Sequence, residues 1–194
     1  MTRFHLILLM FFLFISGCAQ KISPPKQQMR DWKVSLQSQS AWQASGKLAF
    51  ISDTDRQSAN FNWHYENGKQ HLILTSFIGT RILSLKELAQ HSELQYDGNT
   101  YFDTNSQQLV KRLSGLDLPV AQAPAWLTGT VDNPTNQYDD QARLTSSVWT
   151  DENGQLWQAQ YQQFNLIEGM WLPTRMNLSH NKLRIKIQLN SWQF

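Results

Sequence analysis

Four histidines follow the N-terminal apolar run: His64, His71, His91 and His180. Metal centres place their ligands at short, repeated intervals or on one helix face, and these four share no such spacing. His64 and His71 fall on the polar phase of alternating strands, the position of solvated imidazoles. Asp53 with Asp55, and Asp139 with Asp140, are the carboxylate pairs that could serve as general acid and base, yet each pair sits among turn-forming residues. The chain contains no glycine-rich phosphate loop and no Gly-x-Ser-x-Gly nucleophile elbow. These residues predict neither an enzyme nor a metal or cofactor protein.

Cys18 is the only cysteine, and its setting is specific. Arg3 gives a short positive start, and Leu6 to Ile15 is an unbroken apolar run. That run is too short to span a bilayer, which needs roughly 20 residues, but it suits a secretory signal. Phe14-Ile15-Ser16-Gly17-Cys18 resembles a bacterial lipobox, with Ile15 where Leu is commonest. In that motif the chain is cut before the cysteine, which is then acylated. Three acyl chains anchor firmly where one does so only marginally. The resemblance to proteobacterial lipoproteins implies that Ala19, a residue other than Asp after the cysteine, permits sorting to the outer membrane. The expected organisation is a signal peptide over 1–17, an acylated cysteine and tether over 18–26 containing Pro24-Pro25, and one domain over 27–194.

Composition agrees with a single packed domain. The chain has 194 residues with a formal net charge of +2, which argues against a nucleic-acid binder. Only 16% of residues are charged, while eight Trp, ten Phe and five Tyr supply a large apolar payload.

The elements that carry this payload are mostly strands. Met29, Trp32 and Leu36 form one narrow helical stripe, predicting a short helix over 27–39. From Trp42 onward the period is two. Leu48 and Phe50 alternate with Lys47 and Ala49, Phe61 and Trp63 with Asn62 and His64, Leu72, Leu74 and Leu83 continue the pattern, and Asn67-Gly68 marks a hairpin. Asn105 or Ser106 can cap a helix bearing Leu109, Val110 and Leu113 that Gly115 ends, and Pro124 to Leu127, including Trp126, starts another. Strands then resume with Trp157, Tyr161, Met176 and Leu178 on the apolar phase, and with Arg184 and Lys186 on the opposite phase of the last strand. About ten antiparallel strands with one helical interruption predict a strongly curved or partly open barrel. Its bulky inward residues either fill an ordinary core or line a cavity for an apolar ligand, and periodicity does not separate the two.

The loop Ser76-Phe77-Ile78-Gly79-Thr80 departs from the pattern. A connection between strands is normally polar, and two bulky apolar residues at its centre either contact a membrane or a partner or fold back into the core.

The chain resembles the LolB family of outer-membrane lipoprotein receptors. The likeness is carried by Trp42 with Gly46-Lys47-Leu48-Ala49-Phe50, by Ala59-Asn60-Phe61-Asn62-Trp63, and by Leu72-Ile73-Leu74-Thr75 with Ile78-Gly79. It continues through Leu113 and Gly115, Trp126 and Gly129, Asn153-Gly154, Trp157, Tyr161, Pro173, Met176, Leu178 and Arg184-Ile185-Lys186 before Trp192. No one piece is specific; their order and spacing are.

The resemblance implies a mainly β fold, an incomplete antiparallel barrel of about ten or eleven strands whose short helices cover or plug a hydrophobic cavity. It implies a monomeric receptor on the periplasmic side of the outer membrane of a Gram-negative bacterium. Such a receptor accepts acylated lipoproteins from the periplasmic carrier LolA and inserts them into the inner phospholipid leaflet without ATP or cofactor. The acyl-chain cavity is then expected among Phe50, Phe61, Trp63, Leu72, Leu74, Leu83, Trp126, Trp157, Tyr161, Met176 and Leu178. Phe77 and Ile78 become the membrane-insertion loop, where the family usually has Leu at the position of Ile78, and Phe77 stands where Pro is expected. Two alternatives are an envelope lipoprotein that binds or stores lipid without a carrier, and an envelope hydrolase.

Overall fold

Apolar and polar residues alternate along almost every strand, so each strand offers one face for burial and one for water. The computed structural model describes residues 26–194. The signal segment, Cys18 and the tether lie outside the described residues, and so does the side chain of Met29. A helix, α1 (Lys26–Gln37), leads into β1 (Ala41–Ile51), β2 (Arg56–Glu66), β3 (Lys69–Thr75), β4 (Arg81–Glu87), β5 (Ser92–Tyr96) and β6 (Asn99–Asp103). The helical interruption holds α2 (Ser106–Ser114) and α3 (Ala123–Thr128). The chain ends with β7 (Gln137–Tyr138), β8 (Leu144–Thr150), β9 (Leu156–Ile167), β10 (Met170–His180) and β11 (Leu183–Gln193).

All eleven strands belong to one antiparallel sheet in the order β6-β5-β4-β3-β2-β1-β11-β10-β9-β8-β7. Two meanders therefore run outward from a central seam, where β1 pairs with β11. The strands β6 and β7 at the two ends do not pair with each other, so the barrel is incomplete, as expected. The two-residue strand β7 was not legible in the sequence; its pattern is too short to carry a period.

The sheet is nevertheless strongly curled, and α2 reports by how much. Ser106 donates to Glu87 at the end of β4, while the next residue, Gln107, donates to Asp151 just beyond β8. In a flat sheet those strands would lie about 33 Å apart, seven steps of roughly 4.8 Å. One helix turn reaches both, so the sheet wraps around the helical segment.

The inner face and the helices share one apolar core. It takes Leu48 and Phe50 from β1, Phe61 and Trp63 from β2, Leu72 and Leu74 from β3, and matching residues from β8 to β11. Leu109 and Val110 of α2, Trp126 and Leu127 of α3, and Leu116, Leu118 and Val120 between them complete it. Trp32 and Leu36 join from α1, which packs against β10. Among the described residues this cluster runs from Trp32 to Trp192.

Local chemistry explains the helix ends. The Asn105 side chain accepts from the Gln108 amide to cap α2, and Gly115 closes it. Pro124 stands in the first turn of α3, where its missing N–H is not needed.

Candidate functional site

The eleven residues expected to line a cavity are brought together. All are buried on the inner face or against it, none more than 6% exposed. The space between sheet and helices is occupied by side chains. Trp126 of α3 meets Trp63 edge-on, with ring centroids 5.4 Å apart. Tyr161 donates its hydroxyl to the Trp126 carbonyl at 2.7 Å, and burial pushes that phenol well above its usual range. The Trp126 indole donates to the Pro119 carbonyl.

A ring of polar bonds ties the helical segment to the sheet. Gln70 of β3 accepts from the Trp63 indole and donates to Glu87 and to the Val120 carbonyl. Glu87 also accepts from Ser106 at 2.8 Å. On the other side, the Gln107 amide reaches Asp117, Asp151 and Gln155, and Asp151 accepts a hydrogen bond from the Trp157 indole at 2.8 Å. Each latch satisfies polar atoms that would otherwise be buried alone, a loss of about 1–3 kcal/mol apiece. Sequence reasoning missed these latches. The available signal was Gln70, a polar residue on the apolar phase of its strand.

The two central carboxylates titrate in opposite directions. Burial holds Glu87 above the usual carboxylate range, opposed by the Ser106 hydrogen bond and reinforced by Glu152. A raised acid stabilises the fold at low pH and loses that contribution as pH rises through its folded pKa. Burial also pushes Asp151 upward, but hydrogen bonds from the Gln155 amide, the Trp157 indole, the Gln107 amide and the Asn153 amide outweigh it and leave Asp151 below its ordinary value. A depressed acid stabilises above its unfolded pKa, and that contribution disappears as pH falls through the folded value. Asp151→Asn is therefore expected to lose about 1–3 kcal/mol at pH 7, and the gap to the parent should narrow below about pH 4. Denaturant unfolding at both pH values measures it; a gap independent of pH would contradict the assignment.

The Ser76–Thr80 loop stands apart from all this. The Ser76 amide donates to the Thr80 carbonyl, the Gly79 amide donates to the Ser76 carbonyl, and the Thr80 amide donates to the Ser76 hydroxyl. Gly79 has φ of 86°, a left-handed residue that closes a three-residue hairpin loop. The tip is held rigidly while its side chains face solvent: Phe77 is 92% exposed and Ile78 73%. They do not fold back into the core.

The remaining candidates are structural. His64 and His71 face each other across β2 and β3 on the outer face, and His71 contacts the Ser84 hydroxyl. Asp53 pairs with Lys182, Asp55 closes its own turn, and Asp139 pairs with Arg143. Among the described residues no three His, Cys, Asp or Glu side chains converge as metal ligands would.

A pocket of about 610 Å³ forms a groove on the outer face of β2, β1, β11, β10 and β9. Of the cavity candidates only Met176 borders it. Its rim carries Lys47, Arg56, Arg175, Lys186 and Phe77. Alternation had marked Lys186 as outward, but the cross-strand register that gathers these cations is not readable from the chain.

Comparison with known proteins agrees with this geometry. A family model described as outer membrane lipoprotein LolB matches residues 40–192. An outer-membrane lipoprotein LolB of Pseudoalteromonas translucida is 52% identical over 194 residues, covering 100% of this chain and 96% of the relative. One of Vibrio cholerae is 32% identical, covering 93% and 91%. Among solved structures, a LolA superfamily protein from Nitrosomonas europaea superposes with a TM-score of 0.59 at 11% identity, over 87% of this chain and 92% of that one. A putative outer membrane lipoprotein-sorting protein domain from Vibrio parahaemolyticus gives 0.58 at 10% identity, over 87% and 91%. At such identities the structural likeness speaks for the fold alone, an open antiparallel sheet wrapped on helices. The family match spans the whole sheet, from the seam strand β1 to Trp192, and on that ground the chain belongs to the outer-membrane lipoprotein LolB family.

Proposed function

We propose that this protein is an outer-membrane receptor that takes acylated lipoproteins from the carrier LolA and releases them into the inner leaflet of that membrane. The observation that carries the reading is the pairing, on one open sheet, of a latched apolar interior with a rigid, exposed Phe77-Ile78 tip. Each buried methylene is worth roughly 0.8 kcal/mol, so three long acyl chains in water would cost tens of kcal/mol. The chains must then pass from one apolar interior directly to another, and with no phosphate loop in the sequence the passage runs downhill.

The interior as described is filled, so room for acyl chains is made by moving the helical segment off the sheet. The latches at Gln70, Glu87, Gln107 and Asp151 hold that segment through hydrogen bonds that water can replace. Entering chains take over the apolar contacts of Trp126, Leu127 and Val120 with Trp63 and the inner sheet. Sheet and helices are complementary to each other when empty, and each is complementary to cargo when apart. Cys18, acylated, tethers the whole unit to the membrane that receives the cargo, and Phe77 with Ile78 enters its surface at delivery.

The direct test is transfer. Radiolabelled lipoprotein bound to LolA is mixed with this protein prepared from Ala19 onward, without its anchor. Label is expected to move to the receptor. Label remaining on the carrier, with the receptor folded, would sink the receptor reading and favour a lipid-storage lipoprotein.

A further inference from the structure

The outer face of the sheet carries a charge pattern that cargo handling does not use. Across β10, β11, β1 and β2, one row of outward residues reads Arg175, Gln188, Lys47, Asn60. The next reads Asn177, Lys186, Ala49, Ser58, and the third Ser179, Arg184, Ile51, Arg56. No two cations stand directly opposite each other, because each faces a neutral neighbour, which limits their mutual repulsion. Lys47, Arg56, Arg175 and Lys186 border the 610 Å³ groove, and no carboxylate lines it. Among the described residues none of the four forms an ion pair. Four unpaired cations on one groove are a concentrated positive field in a chain whose net charge is only +2.

Phe77 ties this field to the insertion loop. Its side chain borders the same groove, and Asn60 on the groove floor donates its side-chain amide to the Ser76 carbonyl at the base of the loop. An apolar tip flanked by a shelf of cations matches a bilayer surface, where acyl chains lie beneath a layer of phosphates. We infer that the groove binds the phosphate headgroups of anionic phospholipids, so that the receptor docks on negatively charged patches of its membrane when the loop inserts. The inference rests on the reading of Phe77 and Ile78 as membrane-facing. It adds a lipid class and the residues that select it.

The test is partition of the chain from Ala19 onward, unacylated, onto two kinds of vesicle: phosphatidylcholine alone, and phosphatidylcholine mixed with phosphatidylglycerol. The parent should bind the anionic vesicles more tightly, and raising salt from about 0.05 M to about 0.5 M should abolish the difference. Lys47→Gln with Lys186→Gln should weaken binding to anionic vesicles on the order of thirtyfold, about fivefold per cation, and leave phosphatidylcholine binding unchanged. A control removes two cations elsewhere, Lys69→Gln with Lys86→Gln, and should lose much less. Equal binding by parent and groove variant, or equal losses by groove variant and control, would overturn the proposal. So would a groove variant that binds anionic vesicles normally but no longer engages LolA, which would make the groove a carrier contact. Ile78→Asp separates the two readings: if it binds phosphatidylcholine as the parent does, the loop reading fails, while the anionic increment still reports on the groove.

Discussion

Ile78→Asp should leave uptake of lipoprotein from the carrier within about twofold of the parent and lower delivery to vesicles on the order of a hundredfold. Ile78 is exposed and contributes nothing to the buried core, so its replacement leaves the interior that would receive the acyl chains unaltered. The turn tolerates the change, since the left-handed residue is Gly79 and not Ile78. At the bilayer the balance reverses. Burying an isoleucine side chain is worth about 1.5–3 kcal/mol, and a carboxylate in its place adds a desolvation cost. Together these exceed the roughly 2.7 kcal/mol that a hundredfold loss requires. Ile78→Leu, which keeps the apolar volume, should deliver normally. Single-turnover transfer from LolA and onward release to liposomes, measured separately, checks the claim. Equal loss at both steps would show that the loop serves uptake as well.

The contrast between loop and interior also marks how far the sequence could be read. Strand phase was legible because Phe61 and Trp63 alternate with Asn60, Asn62 and His64, and Leu72 and Leu74 continue the period of two; all four lie on the inner face. The helix over Ser106–Ser114 was legible from its Asn105 cap and Gly115 stop. The exposed tip was legible as a violation, two bulky apolar residues where polar ones belong. Three features were hidden, for one shared reason: each depends on residues far apart in the chain. Gln107 and Asp151 read as ordinary polar residues until curling brings them within 2.8 Å. The cations of the outer groove come from four different strands, β1, β2, β10 and β11. The filling of the interior by Trp126 depends on where the helical segment lands, and periodicity within a segment carries no information on that.

The seam between β1 and β11 is a further long-range feature, and a single methyl group tests it. Ser45 pairs with Ser191 and Gly46 with Leu189, so Asn190 is an extra residue that bulges β11. The bulge carries the Gln188 carbonyl over Gly46. A Cβ added there would stand 2.0 Å from that backbone oxygen and 2.8 Å from Cε1 of the buried Phe61 ring. Neither neighbour can yield cheaply: the carbonyl belongs to the ladder joining the two meanders, and Phe61 is fixed in the core. Gly46→Ala is therefore expected to lose more than about 3 kcal/mol and to melt about 10 °C lower, if it folds at all. Gly154 supplies the contrast. It has a positive φ of 75° but open space around it, and Gly154→Ala should lose only about 1–2 kcal/mol, from backbone strain alone. Thermal unfolding of both variants followed by circular dichroism gives the comparison. If Gly46→Ala melts as close to the parent as Gly154→Ala does, the seam has room for a methyl group and the steric assignment fails. If the order holds, the glycine is required because the Gln188 carbonyl and the Phe61 ring close over it at the middle of the sheet. That position is where β1 and β11 join the two outward-running meanders, so a clash there is felt by both halves of the sheet.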